Sequence, residues 1–490
     1  MAGQRWDREK LLIGGEWRAA SGGTYEIVNP STEQVIGVAP EATRDDAFEA
    51  AKSAKEAFWT WSRTTPQERS ELLKRAAELL AKHNDELVPL VQAESGATQK
   101  VASTMQVPIA IGRFQRYALG ALEPNQIPIP PQVAQATALA PGGLVGAVVN
   151  RQPVGVVACI ASYNFPLTNM AGKVAPALAM GNTVILKPAP QDPLNIIDLA
   201  AILEEAGFPP GVVSVITGSG ADAGAALVDS PDVDMVSFTG STTVGMRIAE
   251  AGAKTMKRNL MELGGKGAAI VFDDADLALA VAGIASTWAF HSGQICTAPT
   301  RVLAQRGIYH ELMDRLTATA NALKVGNPLD EDTIVGPLIS AAQRDRVEAY
   351  ITGGVEQGAE LLAGGAERPD IPTGYYVRPT LLADCRADMT VVQEELFGPV
   401  VAAMPFDDED EVIALANQSA FGLYDYVYSG DAGRGFEVAR RLRTGNVGVN
   451  TTQRNHETPF GGFKLSGVGR DGGSFGLHCY SELQSVVWPS

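Results

Sequence analysis

A chain of 490 residues is long enough for two or three domains, each with its own core. With 45% hydrophobic and 19% charged residues and 51 glycines it reads as globular, with glycine to spare for backbone-lined loops, and not as a disordered chain. The net charge of -17 repels phosphates and argues against nucleic acid as a partner.

The N-terminal stretch MAGQRWDREK is polar and lacks the apolar core of a signal peptide. No apolar run approaches the ~20 residues of a membrane span, so no membrane partner is expected. The first part of the chain reads as helical. An amphipathic helix is predicted from about Asp45 to Trp59. Thr65-Pro66-Gln67-Glu68 is a capping box with proline at the first helical position, followed by Leu72, Leu73, Ala76, Leu79 and Leu80 at helical spacing. The Pro-rich passage from Pro124 to Pro141 interrupts this pattern and reads as a connection or arm.

From Val154 onward short β-branched runs recur: VVACI (156–160), TVILK (183–187), VSVIT (213–217), MVSF (235–238) and AAIVF (268–272). Ala- and Leu-rich helical segments lie between them. This alternation predicts βαβ units, hence an α/β fold with a doubly wound, Rossmann-like parallel sheet. A second alternation follows from about Asp276. Helices are predicted over 276–291, 309–324, 340–357, 408–417 and 432–443, with strands near 301–305, 400–406, 423–429 and 446–450. The final LQSVVW (483–488) reads as an exposed strand that invites pairing with another subunit.

Two glycine turns follow strands. In VSFTGSTTVG, Gly240 ends a strand, Ser241 and Thr242 are candidate helix caps, and Gly245 follows. Such a turn exposes backbone N–H groups that suit a pyrophosphate, although an ordinary βα turn has the same pattern. Gly218, Gly220 and Gly224 in VITGSGADAG are placed similarly.

The four cysteines are Cys159, Cys296, Cys385 and Cys479. Their spacing is neither a metal pattern nor a disulfide framework, so reduced thiols, a cytoplasmic location and no metal site are expected. Cys296, in FHSGQICTAPT, sits beside Gly293 and polar residues just past a helical segment. Partial exposure near free amides favours the thiolate there. Cys159 lies inside a strand-like run and reads as core, whereas Cys385 and Cys479 lie in polar surroundings. Gly472-Gly473-Ser474-Phe475-Gly476 matches the GxSxG pattern of serine hydrolases, but a Gly-rich segment precedes it and only fourteen residues follow, too few for the strand, Asp and His that the pattern requires. Lys173 and Lys266 each follow glycine, yet neither precedes Ser or Thr, so there is no Walker A motif.

Seven segments in order, SYNFPL (162–167), ILKPAP (185–190), FTGSTTVG (238–245), MELGGK (261–266), SGQICTA (292–298), EELFGPV (394–400) and PFGGFKLSGVGR (459–470), resemble the aldehyde dehydrogenase superfamily along nearly the whole chain. The resemblance implies an NAD(P)-dependent enzyme that oxidises a small-molecule aldehyde to the acid, with NAD as the expected cofactor and NADP possible. It implies that Cys296 attacks the carbonyl, that Asn164 and the Cys296 N–H hold the oxyanion, and that Glu262 activates water to hydrolyse the thioester. Lys173 matches a family lysine near that base, or is a surface helix lysine. Lys187 and Glu395 are similarly placed on the ribose hydroxyls, Phe397 by the nicotinamide ribose, and Gly240, Ser241 and Gly245 at the pyrophosphate turn. Glu395 alone would read as a solvated acid, and Phe397 alone as core.

Several positions depart from the family pattern. Pro190 stands where NAD-preferring members often carry Glu, leaving NAD versus NADP open. Gly172 replaces a common tryptophan, and the loop NTTQRNHETPF lacks the aromatics that narrow the tunnel, which predicts a bulky or aromatic aldehyde. Phe165, Ile295 and Thr297 are the expected pocket walls. Arg454 or His456 meets a polar substituent, or is simply solvated. The implied architecture is a cofactor domain over 1–127 and 148–264, a catalytic domain over 265–462, and an oligomerisation arm from 128–147 and 473–490, assembled as a homodimer or homotetramer. Two rivals remain: a dehydrogenase passing its acyl group to coenzyme A, which the hydrolytic base Glu262 disfavours, and a noncatalytic binding or structural protein on the same fold, which the presence of Cys296, Glu262 and Asn164 disfavours.

Overall fold

The computed structural model describes residues 5–489. Two mostly parallel sheets organise the chain. The first has eight strands in the order Glu16–Ala19, Lys10–Ile13, Val213–Val215, Thr183–Lys187, Val156–Ile160, Met235–Thr239, Arg258–Glu262 and Gly467–Val468. The inner five are parallel and the pairings at both edges are antiparallel. Helices cover both faces, so Val156–Cys159 and Thr183–Lys187 are wholly buried, as expected for apolar strands without alternation.

The second sheet has seven strands: Glu360–Ala363, Thr380–Ala383, Val400–Phe406, Arg301–Gln305, Ala268–Val271, Tyr424–Tyr428 and Asn446–Val449. Only the edge strand Glu360–Ala363 is antiparallel. The fold is therefore α/β, with every helix of the second alternation present: Leu277–Ala289, Tyr309–Ala322, Ala341–Glu356, Glu409–Asn417 and Ala432–Arg441. The AAIVF run, grouped with the first sheet by its pattern, belongs to the second, where Ala268–Val271 pairs with Arg301–Gln305 and Tyr424–Tyr428. Period alone does not say which sheet a strand joins.

The N-terminal region is not simply helical. Helices Arg44–Trp61 and Pro66–Lys82 form as read, each with a capping box on Thr43 or Thr65. Before them lie four strands, Lys10–Ile13, Glu16–Ala19, Thr24–Val28 and Val35–Pro40. The first two make a hairpin on Gly14-Gly15, both at positive φ, and this Gly-Gly pair between LLI and EWRA was the available signal.

A third sheet stands apart. Gln126–Ala134, Gly143–Pro153 and Ser481–Pro489 pair antiparallel, so the Pro-rich interruption and the terminal strand meet within one chain. Its bounds differ from those expected: Gly473–Cys479 is a helix, and the segment 148–153 belongs to this sheet. Ser490 lies outside the described residues. Among the described residues no helix is long and apolar enough to cross a membrane, and no group of three acidic, His or Cys side chains is placed to hold a metal.

Candidate active site

In the first sheet the chain leaves Val156–Ile160 toward Thr183–Lys187 on one side and later returns to Met235–Thr239 on the other. That reversal opens a crevice at the carboxyl ends of the strands, where ligands of doubly wound sheets bind. A cavity of about 710 Å³ lies there, walled on one side by Asn164, Ser241 and Glu262 and on the other by Cys296, Glu395 and Phe397.

Cys296 follows an irregular turn in which His291, Ser292 and Gly293 all have positive φ. Such backbone is held only by its surroundings. The Ser292 hydroxyl donates to the Gly336 carbonyl at 2.7 Å, and the Gln294 side chain accepts from the Ile339 N–H at 3.0 Å. The Tyr426 hydroxyl donates to the Thr297 carbonyl at 2.8 Å. A Cβ on Gly265 would sit 2.1 Å from the Cys296 carbonyl oxygen, so the MELGGK segment needs glycine for the Cys296 loop to approach. The thiol is half-buried and free. Burial, then the carboxylates of Glu395 and Glu262, push it up to about 12, outweighing Arg454 and its own N–H. The expectation of a thiolate-favouring setting is thus corrected. A thiol so held needs a base to take its proton before its sulfur can attack.

Asn164 follows the central strand and is buried. Its Oδ1 accepts from the Ser162 hydroxyl at 2.8 Å and the Asn169 amide at 3.2 Å, which fixes the amide orientation. Its Nδ2 donates to the Gln294 carbonyl at 2.8 Å, leaving its second N–H available to the cavity. Glu262 ends Arg258–Glu262 opposite Thr239. Both its carboxyl oxygens are buried without a hydrogen-bond donor among the described residues. Burial and nearby Asp471 push this carboxyl well above the usual range, against Lys173, Arg454 and Arg470.

Lys173 is 4% exposed, which overturns the surface-lysine alternative. Burial lowers its pKa, while Asp471 and Glu262 act to raise it. Its ammonium lies 3.4 Å from the Ser237 hydroxyl. Asp471 had escaped the sequence reading, although it directly follows PFGGFKLSGVGR. It accepts from Arg113 at 3.0 Å, and Arg113 and Lys173 hold it low despite burial.

At the other end of the cavity the Glu395 carboxylate accepts from the Gly265 N–H at 2.9 Å and is pushed to about 7, chiefly by burial. A Cβ on Gly264 would strike that carboxylate. Phe397 has positive φ, held by the Gln343 amide donating to the Leu396 and Phe397 carbonyls, both at 2.9 Å. Its ring meets Tyr163 edge-on at 5.8 Å. Gly240 and Ser241 line the cavity, and the Ser241 hydroxyl caps the helix Thr242–Gly252. Gly245 does not line it; a Cβ there would strike Leu263, so its visible role is close helix–strand packing. Lys187 also lies outside the cavity wall, buried, with its ammonium donating to the Pro188 carbonyl at 2.9 Å and lowered to about 8 by burial.

Phe165, Ile295, Thr297 and Arg454 line the remaining wall, as do Phe290, Tyr426, His456 and Phe460, of which only His456 was singled out from the sequence. Gly172 does not. A Cβ there would sit 2.1 Å from the Arg113 guanidinium, which fills the space expected to widen the tunnel. The other cysteines stay out of the cavity. Cys159 is core as read, but Cys385 is also buried, in the second unit, and not in polar surroundings. Ser474 bonds Glu123 and Arg116 and has no nucleophilic setting.

The model of the aldehyde dehydrogenase family matches residues 17–486. A mitochondrial aldehyde dehydrogenase of Leishmania tarentolae is 39% identical, over 99% of this chain and 95% of its own. The 3-succinoylsemialdehyde-pyridine dehydrogenase of a Pseudomonas species is 38% identical, over 98% of both. Among solved structures, the NAD+ complex of aldehyde dehydrogenase from Bacillus cereus superposes with a TM-score of 0.92 at 39% identity, covering 98% of this chain and 96% of that one. Betaine aldehyde dehydrogenase from Staphylococcus aureus with NAD+ superposes at 0.93 with 33% identity, covering 98% and 95%. The chain belongs to the aldehyde dehydrogenase family and is an NAD(P)-dependent enzyme of aldehyde oxidation.

Proposed function

We propose that this enzyme oxidises an aromatic or similarly bulky aldehyde to its carboxylic acid with NAD, through a thioester on Cys296 hydrolysed by water. The observation that carries this reading is the shared cavity of Cys296, Asn164 and Glu262, in which neither oxygen of the acid has a hydrogen-bond partner among the described residues. A carboxyl raised by burial is a strong base once ionised, so Glu262 takes the Cys296 proton as the sulfur attacks the carbonyl carbon. The oxyanion receives the free Asn164 N–H and the Cys296 N–H. A bound nicotinamide supplies the hydride acceptor. As the oxyanion re-forms the C=O bond, the C–H bond breaks with hydride leaving, which gives the thioester; Glu262, having released the thiol proton to solvent, then accepts a proton from the attacking water. The acid leaves and the thiol is restored. A base for water favours hydrolysis over transfer to coenzyme A.

The residues present suit the cofactor. Glu395 offers one oxygen without a donor among the described residues, as a ribose hydroxyl requires. The Gly240–Ser241 turn places a helix N-terminus on the cavity for the pyrophosphate. The charged group acting on Lys187 is Glu41, whose carboxylate accepts from the Ser219 N–H at 3.0 Å. An acid there disfavours a second phosphate, which supports NAD over NADP. The first sheet unit is the cofactor domain and the second the catalytic domain in this reading. The three-stranded sheet joins copies into a dimer or tetramer. Four rings, Phe165, Phe290, Tyr426 and Phe460, support an aromatic substrate in place of the lost Gly172 argument. A relative whose name records a pyridine semialdehyde agrees.

The test is absorbance of reduced nicotinamide with benzaldehyde and a short aliphatic aldehyde, each with NAD and NADP. Wild type should turn over benzaldehyde with NAD, and Cys296→Ala should lose at least about 1,000-fold in kcat while still binding cofactor. Preference for the short aldehyde would overturn the substrate reading; turnover by Cys296→Ala would overturn the mechanism.

A further inference from the structure

We infer that the substrate carries a carboxylate, or an equivalent anion, at the end remote from its aldehyde carbon, and that Arg454 receives it. This rests on the reading of Cys296 as nucleophile. The arginines on the cavity wall are committed to ion pairs or hydrogen bonds, with one exception. Arg113 is paired with Asp471 at 3.0 Å. Arg116 is paired with Glu457 at 2.6 Å and Glu123 at 3.0 Å, which commits the acid nearest Arg454 in its own loop. Arg346 donates to the Glu395 carbonyl at 3.0 Å. Arg454 lines the same cavity as Cys296, and none of the described residues forms a hydrogen bond or ion pair with it.

What holds Arg454 is the Phe460 ring, 3.7 Å beneath its guanidinium carbon. Stacking uses the face of the guanidinium and leaves its in-plane N–H fork open. That fork matches the two oxygens of a carboxylate. Gln453 and His456 flank it on the cavity wall. Neutral aldehydes leave this cation unmatched, and a quaternary ammonium aldehyde meets it as a like charge.

Arg454 also faces the Cys296 thiol, so an action on the nucleophile is the competing explanation. Three para-substituted benzaldehydes of similar size separate the two: 4-carboxy, 4-methyl and 4-trimethylammonio. Wild type should prefer the carboxylate over the methyl compound by about ten- to hundredfold in kcat/KM, with the cation poorest. In Arg454→Gln that ratio should collapse toward one, and in Arg454→Lys it should be partly kept. Added salt should shrink the wild-type ratio. A ratio unchanged by Arg454→Gln, with all substrates slowed together, places Arg454 on the thiol and overturns the inference. If none of the aldehydes is oxidised, the reading of Cys296 fails separately. Calorimetry with the unreactive 4-(hydroxymethyl)benzoate and 4-methylbenzyl alcohol still reads Arg454: about tenfold tighter binding of the anion, lost in Arg454→Gln, supports it, and equal binding overturns it.

Discussion

Among the described residues Glu262 has no hydrogen-bond donor for either buried oxygen, which burdens the fold and, in the proposed mechanism, serves the reaction. Its folded pKa is raised, so the native state holds a proton that the unfolded chain has lost. The cost to stability therefore grows as pH rises from the ordinary carboxylate range through the folded value. Glu262→Gln should raise the Tm at neutral pH. It should also stall deacylation, giving one equivalent of reduced cofactor, then a steady rate lower by about 100- to 10,000-fold, with an acyl adduct on Cys296 seen by mass spectrometry. In the wild type the rate should fall with falling pH at a limb above the usual carboxylate range. A lower Tm together with unchanged turnover would remove Glu262 from the base role. The motif MELGGK made this residue visible in the sequence. Its lack of partners, and the neighbouring Asp471 and Arg113 from distant segments, could not be read there.

At the scale of elements, the site depends on backbone passing close to backbone. Gly265 admits the Cys296 carbonyl, Gly264 admits the Glu395 carboxylate, and Gly293 at positive φ packs against Gly398. Gly265→Ala forces a Cβ onto a backbone oxygen that cannot swing away, so the nucleophile loop must move. A displacement near 1 Å should lower kcat by about 100-fold. Cofactor affinity, read by fluorescence quenching, should change far less; loss of both together would show a general folding defect instead. Helices with a long apolar period and a capping box were legible, as Pro66–Lys82 is. Short strands such as Arg258–Glu262 and Thr380–Ala383 were not, because RNLME and TLLA are too short to show a period of two. The tunnel argument from Gly172 failed for a related reason: Arg113, 59 positions earlier, occupies the space.

At the scale of the whole molecule, the three-stranded sheet leaves large apolar side chains in water, including Leu483 at 63% and Val487 at 61% exposed. Pairing within one chain satisfies its inner edges, yet both faces stay open. We propose this exposed apolar strand as the surface on which copies of the chain assemble. Val487→Glu should lower the mass measured by sedimentation velocity by at least half, with each chain still folded by circular dichroism. An unchanged mass would move the interface elsewhere.

The sequence by itself determined the α/β class, the two alternations of helix and strand, and the family. These depend on local period, on turn chemistry and on motifs that keep their order along the chain. The tertiary structure decided which sheet each strand joins, which groups fill the space beside Gly172, and the protonation setting of Cys296 and Glu262. It also decided which arginine of the cavity wall has neither an ion pair nor a hydrogen bond among the described residues. Burial and through-space charge fix those properties, and both depend on residues brought together from distant parts of the chain.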